Sequence, residues 1–165
     1  MVRAISFIGH HDSGKTRLMT RLVPVLVERG YCIGSIKHAP HLEDVDVSGS
    51  DSSMHRAAGI ERVLLVAEMS SALFWTNDAT EPLDATVERH FGDLDVVLIE
   101  GFKTGPFPKI EIYRRLPNLA REPLAGEVDV AAVVTDDPIA LPDGVALLSP
   151  SRLLDIADFV ETLIA

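Results

Sequence analysis

The chain has 165 residues, 47% of them hydrophobic, and 25 acidic against 15 basic residues give a formal net charge of −10. That size and apolar content suit one nucleotide-binding domain over residues 1–165, with a core on both faces of a sheet. The acid excess argues against a nucleic-acid surface, which needs clustered Lys and Arg, the single cysteine excludes a disulfide framework, and no apolar run reaches the about 18 residues of a membrane span.

The first apolar run, Val2 to Ile8, reads as a β-strand with no basic, apolar leader before it, which points to a cytoplasmic protein. Gly9-His10-His11-Asp12-Ser13-Gly14-Lys15-Thr16 follows directly, and its spacing is that of a P-loop. Such a loop wraps backbone N–H groups around phosphates at the positive end of a helix. Gly9, His11, Asp12, Ser13, Gly14, Lys15, Thr16 and Arg17 therefore form the candidate nucleotide site. Lys15 is expected at the β- and γ-phosphates and the Thr16 hydroxyl at Mg²⁺.

Apolar residues at helical spacing, Leu18, Met19, Leu22, Val23 and Leu26, predict a helix over 15–29, closed by Gly30 and bent at Pro24. Tyr31 to Lys37 reads as a strand, a parallel partner of the first, with Cys32 a buried thiol in its apolar run. Residues 38–50 are polar and irregular. Among them, His38 and His41, with His10 and His11, admit a transition-metal reading. A loop over the γ-phosphate, with Asp46 in the Mg²⁺ shell, is the alternative, and a solvated acidic loop the third.

Asp51-Ser52 is expected to cap a short helix ending at Gly59, and Arg62 to Val66 with Ala72 to Thr76 suggests a hairpin. Pro82 to Phe91 reads as a helix and Asp93 to Ile99 as a fully buried strand. That strand delivers the carboxylate of Glu100 opposite the P-loop lysine, where such proteins place an acid for Mg²⁺, and Gly101 lets the chain pass close to phosphate. Ile110 to Tyr113 is a strand, Leu116 to Glu127 a loop, Asp129 to Val134 a buried strand and Val145 to Leu148 a short one. Ser149-Pro150 is expected to cap a last helix with Leu153, Ile156, Ala157, Val160 and Leu163 inward. The whole predicts an α/β chain, a three-layer P-loop NTPase fold with a mostly parallel sheet flanked by helices.

Several blocks together resemble the MobB-type molybdopterin-guanine dinucleotide biosynthesis adaptor proteins. They are the P-loop, Ile36-Lys37-His38-x-x-His41-x-x-Asp44-x-Asp46, Gly49-x-Asp51-Ser52-x-x-x-Arg56-x-Ala58-Gly59, Ile99-Glu100-Gly101-Phe102-Lys103 and Lys109-Ile110. The resemblance implies a cytoplasmic, typically homodimeric GTP-binding protein, at most a slow Mg²⁺-dependent GTPase. Its role would be to assist the molybdenum cofactor guanylyltransferase that joins GMP to molybdopterin, with molybdopterin and recipient molybdoenzymes as further partners. Carried onto this chain, Thr16, Asp46 and Glu100 serve the metal, and Lys37, Arg56 and Lys103 are candidates for a second anionic group. The family often has Gly-Lys-Asp-Ser where Gly49-Ser50-Asp51-Ser52 stands, and a second Thr or Ser where Arg17 stands.

The Asn-Lys-x-Asp element of most GTPases is missing from the sequence. Asp136, in Thr135-Asp136-Asp137, is the candidate acceptor for guanine N1 and N2, and a turn before Pro138 explains the same residues equally well. Three other functions fit a P-loop: an ATP-dependent small-molecule kinase, a metal-insertion GTPase, and a binding module in which nucleotide only stabilises an interface.

Overall fold

The computed structural model describes residues 3–76, 80–117 and 121–165, so Val2 and the middle of the loop expected over 116–127 lie outside the described residues. Two compact units emerge, Met1–His38 with Pro82–Ala165, and Ala39–Glu81.

The larger unit is built on six parallel strands in the order β2-β5-β1-β6-β7-β8. These are β1 (Arg3–Ile8), β2 (Ile33–Lys37), β5 (Val96–Glu100), β6 (Lys109–Ile112), β7 (Ala132–Val134) and β8 (Ala146–Leu148). Helices α1 (Lys15–Glu28), α3 (Leu83–Phe91) and α4 (Leu153–Ile164) and a 3₁₀ turn over Leu124–Gly126 complete it.

Strand alternation decides which side chain meets which layer. Ile5, Phe7, Val96, Leu98, Ile110, Ile112, Ala132 and Val134 point to one face and pack with Leu18, Leu22 and Leu26 of α1 and Ile156, Ala157 and Val160 of α4. The intervening Ala4, Val97 and Ile99 point to the other face and meet Val87 of α3, with Leu83 and Phe91 beside it. Ile8, Tyr113 and Val133 meet Leu124 and Ala125 of the 3₁₀ turn. Three layers result, with the sheet in the middle, as the sequence predicts.

Several details differ from expectation. β2 is parallel to β1 but not its neighbour, because β5 lies between them. Val96 to Ile99 are apolar on both faces and fill the centre, whereas β2 carries Gly34, Ser35 and Lys37 and suits an edge. Cys32, just before that edge strand, is exposed rather than buried, its N–H bonded to Asp95 Oδ2 at 2.7 Å. As expected, Pro24 lies inside α1. The final helix starts after Arg152, with no side-chain cap. Ser149 instead accepts Ser151 N–H and donates to Asp136.

In the smaller unit, α2 (Asp51–Ala57) is capped by Ser50 rather than Asp51-Ser52, its hydroxyl accepting from Ser53 N–H at 3.2 Å. The expected hairpin forms from β3 (Arg62–Val66) and β4 (Ser71–Trp75), paired antiparallel.

One acid lies inside the sheet. Glu111, in register with Ile8 and Val133, is fully buried, and its carboxylate accepts Leu124 N–H at 2.7 Å and Ala125 N–H at 2.9 Å. Burial raises its pKa, with those two bonds and His10 opposing the rise. A raised folded pKa means that the native chain holds the proton more tightly than the unfolded chain. The contribution of Glu111 to stability is therefore fully present below the unfolded value of about 4.3 and is lost as pH rises through the folded value. Urea unfolding of wild type and Glu111→Gln across this window is expected to show a wild-type advantage that shrinks with rising pH. A difference independent of pH would mean that folding leaves the proton affinity of Glu111 unchanged.

Candidate functional site: the P-loop edge

The loop over residues 9–16 leaves β1 at Gly9, whose φ of +146° suits glycine. A Cβ there would lie 2.3 Å from the carbonyl oxygen of Ile112, so the close approach of β1 and β6 also demands glycine. Asp12 at φ +62° and Gly14 at φ +98° curl the loop so that α1 starts at Lys15. Lys15 Nζ donates to Gly9 O at 2.9 Å and His10 O at 2.7 Å, inside the curl. Ser13 Oγ is buried without a hydrogen-bond partner. An anion in this loop would satisfy it. Burial lowers the Lys15 pKa, Glu100 and Asp12 oppose that shift, and Lys37 adds to it. His11 and Asp12 form an exposed pair at 3.5 Å, and Arg17 follows on the first turn of α1.

Sheet order brings the acid to this loop. Phe7, Glu100 and Lys37 stand in register across β1, β5 and β2. Glu100 Oε2 accepts from Thr16 Oγ1 at 2.8 Å, and Oε1 faces Lys37 Nζ at 3.3 Å. Thr16, Glu100 and Lys37 therefore meet as a group, and two hard oxygen donors side by side suit Mg²⁺, whose other ligands would be phosphate and water. Among the described residues no group of three or more His, Cys, Asp or Glu side chains forms a metal-binding cluster.

Beyond Glu100 the chain turns through Gly101 at φ +104° and Phe102 at φ +52°. A bulky residue in that region costs about 1–3 kcal/mol. His38 stacks on Phe102 with ring centroids 4.2 Å apart, which offsets about 0.5–1.5 kcal/mol. A Cβ at Gly101 would lie 2.9 Å from His38 Cβ, so this glycine makes room for the histidine. Lys103 follows, exposed.

In the smaller unit, Asp46 accepts from Ser50 Oγ at 3.1 Å and Ser52 Oγ at 3.2 Å, and its Oδ2 lies 3.7 Å from Arg56 Nε. Arg56 also pairs with Asp44 and lies over the Phe74 ring at 5.5 Å. The Arg56 side chain, a candidate for a second anion, is thus engaged with two carboxylates of its own unit.

Beside the P-loop a cavity of about 560 Å³ opens at the C-terminal ends of β6, β7 and β8. Ser13, Gly14 and Arg17 line it, as does Asp136. The two aspartates are placed differently. Asp137 holds the turn, its Oδ2 accepting Arg115 N–H at 2.7 Å and its N–H bonding Thr135 Oγ1 at 3.0 Å. Asp136 lines the cavity, oriented by the Ser149 hydroxyl. The sequence reading missed Arg21, Tyr113, Arg114, Arg115 and Ser151, which line the same cavity. Two arginines following a strand at the phosphate edge were the available signal.

The chain matches the family model for MobB, molybdopterin guanine dinucleotide synthesis protein B, over residues 4–136. It is 35% identical to the molybdopterin-guanine dinucleotide biosynthesis adapter protein of Escherichia coli (strain K12), over 97% of this chain and 92% of that one. It is also 35% identical to the adapter protein of Haemophilus influenzae, over 95% and 86%. A crystal structure of molybdopterin-guanine biosynthesis protein B superposes with a TM-score of 0.74 at 26% identity, covering 97% of this chain and 99% of that chain. With the P-loop at residues 9–16 and Glu100 both inside the matched span, this chain belongs to the MobB family.

Proposed function

We propose that this chain is a GTP-binding adapter in molybdopterin guanine dinucleotide synthesis. It binds GTP with Mg²⁺ and assists the guanylyltransferase that joins GMP to molybdopterin, acting as a cytoplasmic homodimer. Hydrolysis is slow, which suits an adapter whose nucleotide-bound form must outlast its encounter with a partner. Among the described residues no helix is long and apolar enough to cross a membrane.

The Thr16–Glu100 hydrogen bond at 2.8 Å carries this reading, since it joins the P-loop hydroxyl to the strand-end carboxylate that the metal requires. The residues divide the work. Lys15 exchanges its two carbonyl partners for phosphate oxygens, and the polyphosphate stabilises its charge against burial. Thr16 and Glu100 hold Mg²⁺, which when bound offsets the phosphate charge. Asp136, in the cavity lining, accepts from the guanine N1 and N2 donors.

Titration calorimetry tests this directly. Wild type is expected to bind GTP more tightly with Mg²⁺ than without. Lys15→Ala is expected to lose about ten- to a hundredfold in affinity with its thermal midpoint unchanged. Equal affinity in that variant would remove the nucleotide from the P-loop. For Glu100→Gln, the expected loss is confined to the Mg²⁺-dependent part of binding, and an equal loss in chelator would make Glu100 a structural residue.

Base choice has its own check. Asp136→Asn replaces an acceptor with a group that also donates, and the affinity ratio of GTP to ATP is expected to fall by about tenfold. A ratio unmoved by the substitution would place the guanine elsewhere.

A further inference from the structure

The cavity beside the P-loop holds more positive charge than a base and a sugar can use. The chain has only 15 Lys and Arg and a net charge of −10, yet four arginines line this one cavity. Arg17 and Arg21 stand one turn apart on α1, and Arg114 and Arg115 stand just beyond β6. Asp136 and Asp137 are the acids lining it among the described residues.

Two of the four arginines are held by neutral groups. Arg21 Nη1 donates to Pro150 O at 3.3 Å, and Arg115 is hydrogen-bonded to the Tyr113 phenol, with Asp137 and Glu122 as more distant charges. The Tyr113 hydroxyl in turn donates to Arg121 O at 3.0 Å, which fixes the phenol beside Arg115. The guanidinium groups of Arg17 and Arg114 make no hydrogen bond or ion pair among the described residues. Clustered like charges repel one another, and guanidinium groups are geometrically suited to grip a phosphate through paired N–H donors.

A guanine nucleotide with its 5′-phosphates on the P-loop and its base at Asp136 must run its ribose through this cavity, because the ribose is the covalent link between the two. Base and ribose are uncharged, and Arg114 stands beyond β6 rather than on the P-loop, so the charge beyond what the 5′-phosphates use answers to something else. We propose that the cavity takes a guanine nucleotide bearing a second phosphate or diphosphate ester on a ribose hydroxyl, with Arg17 and Arg114 as the groups that grip it. This rests on the guanine-nucleotide reading above and extends it. Such a ligand occupies the same P-loop as GTP, so it competes with GTP and makes the adapter responsive to the balance of the two.

Calorimetry with Mg²⁺ would compare GDP with GDP esterified by diphosphate at the 3′-hydroxyl and by phosphate at the 2′-hydroxyl. At least one ester is expected to bind at least about tenfold tighter than GDP, with a steeper loss on adding salt. Arg114→Ala is expected to lower the affinity of the tighter ester by a larger factor than that of GDP and so erase the gain, with the thermal midpoint unchanged. If GDP binds and neither ester binds better, the arginines are a solvated rim and the proposal fails while the nucleotide reading stands. A gain that survives in Arg114→Ala overturns the assignment of the grip. Failure of GDP itself to bind would overturn the nucleotide reading and this extension together.

Discussion

The hydrogen bond between Thr16 Oγ1 and Glu100 Oε2 joins the first turn of α1 to the end of β5 and thereby unites the two elements of the phosphate edge. It forms because β5 is inserted between β1 and β2, which sets Phe7, Glu100 and Lys37 in one row. Had β2 paired directly with β1, Glu100 would stand one strand further from the P-loop. The insertion follows from burial. Val96, Val97, Leu98 and Ile99 have no exposed surface, and only a central strand with helices on both faces removes that much apolar area from water.

A partly buried carboxylate between two cations follows from that arrangement. Glu100 is 14% exposed and has Lys37 at 3.3 Å, while Lys15, in the adjacent loop, has its pKa lowered by burial and held up by Glu100. Breaking such a set by neutralising one member leaves the others with their desolvation penalty and less compensation. The strained turn at Gly101 and Phe102, locked by the His38 stack, fixes where β5 ends and so where this carboxylate sits. Local strain in the backbone is tolerated there because β5 and the aromatic stack over-determine it.

The legible parts of the sequence were those whose signal is local. The P-loop declares itself by spacing, the buried strand by four consecutive apolar residues, and the helices by period, so the three layers and the placement of Lys15, Thr16 and Glu100 could be read in advance. Strand order could not, because a βαβ unit fixes direction and handedness but not whether a later strand is inserted between the two. The same limit explains Cys32, which an apolar run suggests is buried but an edge position exposes. Ser149 has the composition of a helix cap, yet its hydroxyl serves Asp136, a partner thirteen residues away in sequence that only the sheet brings near. Arg114 and Arg115 were visible as a pair after a strand, but their meeting with Arg17 and Arg21 was not, since that pair comes from α1.

Charge distribution ties these features to one another. A chain with ten more acidic than basic residues carries a net charge that on the whole disfavours anions. Against that background, cations concentrated at the C-terminal ends of the strands create a local field of opposite sign, strengthened where protein walls exclude water. Lys15 and Lys37 supply it at the loop and the four arginines supply it in the cavity alongside. Asp136 lies in the wall of the same cavity, and a carboxylate in such a place disfavours a group that brings only negative charge and favours one that presents hydrogen-bond donors. Cations and a carboxylate therefore share one edge of the sheet, held there by the strand ends and the loops that follow them.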